Sequence, residues 1–279
     1  MSRWLSDDLQ ISLGPGHVGV VLVRRSLTLS GINRRVLEKQ KIVNGLDTPA
    51  QGWNWPLQEM NKILPRYADD HPRVSIVLSN HLVHYALVPW SDLISSEEEQ
   101  LAHAEHCFHM TYGAISSNWA LRLSRSAIGA AQLASAVDEE LLRNCRDMVR
   151  QHGLRLVSVQ PYLMSAFNRL NHQIKRSDVW FALVEPGNIC IARLQDGKWT
   201  RLRTARLGGR WEEFSRFMVR ETFMGDDMPQ PEEKVLYVYA PHLGRIQTID
   251  GWEVHELPSP IPLNMPYEAD NSLVMALSG

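Results

Sequence analysis

Cysteine is scarce in this chain. Cys107, Cys145 and Cys190 stand far apart, with no Cys-x-x-Cys spacing. An odd, scattered set builds no complete disulfide framework and suits a reducing cytoplasm. Long apolar runs are also missing, and none approaches the roughly 20 residues that a membrane-spanning helix needs. The first residues, Met1-Ser2-Arg3-Trp4-Leu5-Ser6-Asp7-Asp8, lack an apolar signal core. The expectation is a cytoplasmic protein with no direct membrane insertion, recruited to the inner face of a membrane only by something else. No charge sign dominates: 29 Lys and Arg face 31 Asp and Glu, for a net charge of −2. That excludes a global electrostatic funnel for nucleic acid. Arg24-Arg25 and Arg34-Arg35 read as solvated faces. Neither Gly-x-Ser-x-Gly nor Gly-x-x-x-x-Gly-Lys occurs, and no Ser-His-Asp arrangement can be argued.

Two strand–turn–strand units carry most of the remaining information. The first runs from Ile11 to Val23 through Gly14-Pro15-Gly16-His17. The second runs from Phe181 to Ala192 through Glu185-Pro186-Gly187-Asn188. A repeated hairpin suggests a duplicated fold. In a nucleotide-binding version, backbone N–H groups of both turns hold phosphate while a neighbouring carboxylate handles Mg²⁺. Here the first turn has Ser12 and no acid, and the second has Glu185 followed by a proline with no N–H. The glycines of residues 14–19 sit between two strands, which is the wrong context for a dinucleotide loop.

The 279 residues suit one large or two ordinary domains. Strand signals cover 9–23, 26–30 and 36–43. Residues 48–56 read as a Trp-, Pro- and Gly-rich loop before a helix that stops at Pro65. A buried strand at 74–78 and a Ser79-Asn80 turn lead to a strand at 81–88. Ser95-Ser96-Glu97-Glu98-Glu99 opens a helix to Tyr112. Strands at 119–123 and 127–136, a helix from Asp138 to Val149, a strand at 154–159 and a helix at 161–170 follow. The second half restarts with strands at 179–185, 188–195 and 198–204, a helix at 211–221, an acidic linker at 225–233, strands at 235–240 and 252–257, a Pro-rich stretch at 258–266 and a short helix at 271–277. This order implies α/β with mixed sheets, not an alternating βαβ array.

That order resembles the actin-like proteins, and within them the type IV pilus assembly proteins of the PilM kind and the cytoplasmic domains of type II secretion proteins of the GspL kind, both relatives of FtsA. The best-matched stretch is 74–170. It includes the strand–turn–strand from Val77 to Trp90, the acidic helix through Ala104-Glu105, and Ser158-Val159-Gln160-Pro161 leading into a helix. The resemblance implies an actin-like (ribonuclease H-like) duplicated core with an inserted α/β subdomain and a reduced second-lobe insertion. The expected units are 1–80 plus 154–175 (first core), 81–153 (insertion) and 176–279 (second core).

The family's nucleotide motifs carry over position by position. Its first Asp-Ile-Gly and following lysine fall on Ser12, Leu13, Gly14 and Gly19, so acid and lysine are gone. Its second falls on Glu185, Pro186 and Gly187. Gly208-Gly209 matches a family Gly-Gly, and Ala240-Pro241-His242 replaces the late Gly-Gly loop that faces the nucleoside. Gly14, Gly16, Glu185, Gly187, Gly208 and Gly209 are therefore the expected vestigial nucleotide turns. No cofactor is expected, the alternative being ATP with Mg²⁺ in a divergent ATPase. The resemblance also implies a groove between the first core and the inserted subdomain, lined by 81–90 and 97–112. It would take a short peptide of a membrane-anchored pilus or secretion assembly protein.

Two further groups stand out. His103, His106, Cys107 and His109 share one helix, but no second cluster completes four ligands. A histidine-rich exposed helix and a zinc-binding adaptor are the two readings. Trp53-Asn54-Trp55-Pro56 lies in the expected loop, where aromatics can anchor partners.

Overall fold

The structure, a computed structural model, describes residues 6–28, 31–45, 52–208, 210–223, 234–243, 246–258 and 270–279. Gly209, the linker 225–233 and the stretch 259–266 lie outside them. The first lobe is built on β1 (Asp8–Gly14), β2 (His17–Thr28), β3 (Gly31–Val43), β4 (Arg73–Leu78) and β8 (Arg155–Pro161), in the order β3-β2-β1-β4-β8. β1 runs antiparallel to β2 and parallel to β4. The second lobe repeats this design with β9 (Asp178–Glu185), β10 (Asn188–Gln195), β11 (Lys198–Ala205), β12 (Val235–Tyr239) and β13 (Glu253–Glu256), in the order β11-β10-β9-β12-β13. β9 is antiparallel to β10 and parallel to β12. Between β4 and β8 a third sheet, order β5-β7-β6, holds β5 (His84–Val88), β6 (Trp119–Leu123) and β7 (Gln132–Asp138).

Residues of β1 are buried throughout, because both faces of this central strand are covered. Leu9, Ile11 and Leu13 pack with Leu57, Met60 and Ile63 of α1 (Asn54–Ile63). The opposite face, bearing Gln10 and Ser12, receives α6 (Asn271–Ser278), the last helix of the chain. α4 (Tyr162–Leu170) sets Phe167 against Phe181 and Trp199 of the second lobe, at ring separations of 5.3 and 4.5 Å. α6 thus crosses to the first lobe, while α4 stays beside β4 and β8 and turns Tyr162 and Phe167 toward the second. The two meet where Ser165 and Ser278 share a hydrogen bond of 2.9 Å. The other face of the second sheet packs Trp180, Ala182 and Val184 against Trp211, Phe214 and Met218 of α5 (Trp211–Phe223).

The inserted sheet carries α2 (Glu97–Tyr112), whose Ala104 and Phe108 pack on Val88, Ala134 and Ala136. Its start is a full capping box: Ser96 Oγ accepts from Glu99 N–H, and the Glu99 carboxylate accepts from Ser96 N–H. α3 (Glu139–Gln151) is capped by Asp138.

Several expectations change. α3, grouped with the insertion from sequence, packs beside β8 and α1 of the first lobe as well as β7, and buries Leu141, Cys145 and Val149. α6, grouped with the second core, covers the first sheet. The loop expected through Pro56 is already α1, since proline is tolerated in a first helical turn. Trp53 and Trp55 pack, half-buried, against the core. β3 starts at Gly31 rather than 36, so β2 and β3 form one long hairpin.

Candidate functional site

The two repeated hairpins each end against the segment 79–81. Their registers are the same: Gly14 pairs with His17 across Pro15-Gly16, and Glu185 pairs with Asn188 across Pro186-Gly187. By this register Glu185 is the counterpart of Gly14, and the counterpart of Ser12 is Leu183. An acid aligned with Ser12 would therefore stand at 183, where the chain has a fully buried leucine. Gly187 has φ +79°, which suits the third position of a type II turn after proline.

Glu185 crosses the lobe boundary. It is 2 % exposed. One carboxylate oxygen accepts from Ser79 Oγ–H at 2.8 Å and the other from Asn80 N–H at 3.0 Å. Burial raises its pKa, opposed by nearby His81 and by the Ser79 and Asn80 hydrogen bonds. His81 adds a second tie, from Nε2 to the Pro186 carbonyl at 3.0 Å. Asn80 is held in turn by Tyr85 Oη–H at 2.6 Å and Leu163 N–H at 3.1 Å, both donating to its Oδ1. In sequence Ser79-Asn80 reads only as a turn and His81 as the start of a strand, whereas residues 80–82 form a 3-10 turn and β5 begins at His84. The role of Ser79, Asn80 and His81 as the receptor for Glu185 has no signal in sequence, because the partners are over a hundred residues apart.

The first turn is covered from its own side. The His17 imidazole lies over Gly14, where a Cβ would come within 2.3 Å of the ring. Its Nε2 is buried without a hydrogen-bond partner. Burial lowers its pKa to about 4, against the attraction of Asp270 and with help from Lys41 and His81. His17 is therefore neutral near pH 7. Gly16 has open space around it.

Ser12 and Gly19 serve α6. Ser12 Oγ–H donates to the Ser272 carbonyl at 2.6 Å and accepts from Gly19 N–H at 3.1 Å. A Cβ on Gly19 would lie 2.6 Å from that carbonyl and from Ser12 Oγ, so the approach of the helix requires glycine. Asp270 caps the helix through Ser272 N–H and pairs with Lys41.

On the second lobe, Gly208 N–H is taken by Glu213 at 2.6 Å. That bond, with help from Arg210, holds the Glu213 carboxyl below its usual range. Ala240-Pro241-His242 follows β12; burial lowers the His242 pKa to about 4, and both of its ring nitrogens are buried and unpartnered.

Of the six expected residues, Glu185 and Gly187 lie at the lobe boundary against residues 79–81, Gly208 lies beside them through the Leu207 N–H to Gly187 carbonyl bond, Gly14 follows Leu13, whose carbonyl accepts from Ser79 N–H, and Gly16 touches none of them. Gly209 lies outside the described residues. A Mg²⁺–triphosphate fits this donor set poorly. The Glu185 carboxylate already has partners on both oxygens, the Gly14 face is covered by imidazole, and one glycine N–H is taken by Glu213. Among the described residues no three His, Cys, Asp or Glu side chains are grouped to hold a metal, the α2 histidines included.

Two sheets of one topology, joined through α4 and α6 with an insertion in the first, define the actin-like ATPase fold, and solved structures bear this out. The chain is similar to the cytoplasmic domain of EpsL, an inner-membrane component of the Vibrio cholerae type II secretion system (TM-score 0.59, 13% identity, 98% of this chain and 93% of that one). It is equally similar to a Bacteroides thetaiotaomicron protein with an actin-like ATPase fold (0.60, 11%, 98% and 95%). A PilM–PilN type IV pilus biogenesis complex also matches (0.56, 14%, 83% and 81%). No family model matches the sequence, and no curated protein matches it. No described helix is long and apolar enough to cross a membrane.

Proposed function

We propose that this chain is a non-enzymatic actin-like scaffold that binds a peptide of a membrane-anchored partner in a pilus or type II secretion-like assembly. The observation that carries this reading is the Glu185 contact. The one carboxylate in the repeated turns ties the lobes together through Ser79 and Asn80. A carboxylate spent on two buried hydrogen bonds is a poor Mg²⁺ ligand, since a bound cation would have to displace both donors.

The partner-binding half of the proposal draws on the insertion. EpsL belongs to an inner-membrane system and PilM is found complexed with PilN, and we carry that mode of work to this chain as a hypothesis. A small recess of water size lies within the insertion, between the end of β5 and α2, lined by Val88, Trp90, Ile94, Gln100, His103 and Gln132. Trp90 and Leu101 are each a little over a third exposed, and Leu93 is 92 % exposed. Exposed apolar side chains beside a helix with polar outward positions suit contact with the anchor residues of a short peptide.

Two measurements test the two halves. Ligand binding raises apparent stability by about 2.7 kcal/mol at a hundredfold excess over Kd. Millimolar Mg-ATP is expected to leave the melting temperature unchanged, and a clear rise lost in Glu185→Ala would overturn the non-enzymatic reading. Capture of the cytoplasmic segments of membrane proteins encoded beside its gene should weaken in Trp90→Ala. Capture indifferent to Trp90 would move the site elsewhere.

A further inference from the structure

The long β2–β3 hairpin outruns its sheet. β1 pairs with β2 only as far as Val23, while β2 and β3 stay paired to Thr28 and Gly31. The five residues of each strand beyond that point extend about 16 Å as a two-stranded ribbon. The two basic pairs, which the sequence separates, meet there in register: Arg24 is opposite Arg35, and Arg25 is opposite Arg34. Like charges directly opposite one another destabilise a strand pair. Acids answer only half of them. Arg24 faces Asp7 at 3.4 Å and Arg25 faces Asp8 at 3.6 Å, but Asp8 also serves Arg73 at 2.9 Å. Arg34 and Arg35 are exposed and make no ion pair among the described residues. Strand alternation puts Leu27 on the face of Arg25 and Arg34, and it is 69 % exposed.

We propose that this ribbon docks end-on against an anionic lipid bilayer, with Leu27 toward its end in the interfacial layer and, behind it, Arg34 on the same face and Arg24 and Arg35 on the opposite face, all three on headgroup phosphates. Charge complementarity argues for an anionic partner on a chain whose net charge is −2. The exposed leucine chooses among anions, since an apolar side chain beside cations gains from the headgroup–acyl boundary and gains nothing from a phosphate backbone. The contact is peripheral and reversible, and it is independent of the scaffold reading: it stands or falls whether or not the insertion binds a peptide.

The test is flotation of the purified full chain with vesicles of phosphatidylcholine alone and of phosphatidylcholine mixed with phosphatidylglycerol, at low and high salt. Binding is expected only to the mixed vesicles and should fade with salt. Each arginine removed should weaken it about fivefold, so Arg34→Ala with Arg35→Ala loses roughly 25-fold. Leu27→Ser should lose roughly tenfold. Arg34→Lys with Arg35→Lys should keep most of the binding, because headgroup attraction reads charge. All these positions are exposed, so unchanged melting temperatures check the fold. Equal binding to both vesicles, an alanine pair that binds like the wild type, or a lysine pair as weak as the alanine pair overturns the proposal. So does retention on a duplex oligonucleotide through the same arginines with no vesicle binding, which would assign the ribbon to nucleic acid.

Discussion

Removing the Glu185 carboxylate should loosen the join between the lobes, and the size of the effect can be worked out. In Glu185→Ala, Asn80 N–H and Ser79 Oγ–H lose their acceptor inside a closed interface. A buried donor left unsatisfied costs about 1–3 kcal/mol. The hydroxyl can rotate but the amide cannot, so a net loss of about 2–4 kcal/mol is expected. For a chain of this size that is a fall in melting temperature of roughly 5–12 °C. Glu185→Gln keeps one acceptor and turns a donor toward the other, so its loss should be smaller. The pH dependence adds a second signature. Burial raises the folded-state pKa of Glu185 above its unfolded value. The folded chain then holds a proton that the unfolded chain has released. Its contribution is fully present below the ordinary carboxylate range and declines as pH rises through the raised value, by at most about 1.4 kcal/mol per pH unit. The uncharged glutamine lacks this decline, so the gap between wild type and Glu185→Gln should narrow as pH rises. Urea unfolding at a series of pH values measures both effects. A loss under about 0.5 kcal/mol in the alanine variant, or a gap that widens with pH, would refute the argument.

His17 should act in the opposite sense. Its pKa near 4 means that the unfolded chain protonates first as pH falls from about 6.5, so stability is lost between those values. His17→Gln should flatten this acid limb in a pH series of thermal melts. Gly19→Ala should push α6 off the first sheet, because its Cβ meets the Ser272 carbonyl. Hydrogen exchange of residues 271–279 should then quicken ahead of the rest of the chain. Phe108→Ala removes the ring at the centre of the insertion's core and should cost about 3–5 kcal/mol there. Loss of protection confined to residues 84–138 is the expected pattern, and uniform loss would mean that the insertion does not open separately.

Local signals account for what was legible. The Ser96 and Asp138 caps, the two-residue Pro-Gly turns and the alternation in β9 and β10 each involve residues close in sequence. Their physics, first-turn hydrogen bonds and side-chain periodicity, acts within a few residues. The duplicated hairpins were legible for the same reason. The helix α1 was missed at its start because tryptophan and proline suit both a loop and a first helical turn. The packing partners of α3 and α6 are not legible, because an amphipathic helix such as α3 records that one face is buried and not against what, and α6 is buried on nearly every side.

The sequence by itself determined the elements, their order and the repeated strand–turn–strand pattern. It also determined that acid and lysine are missing around Ser12 and Gly19. Tertiary structure decided what those residues do. It matched Glu185 to Gly14 by register, placed its carboxylate on Ser79 and Asn80, laid His17 over Gly14 and brought α6 onto Ser12 and Gly19. It also set two separate arginine pairs face to face on one ribbon. These contacts join residues from different strands and lobes. Their partners are chosen by sheet pairing and burial over the whole chain, which no local propensity encodes.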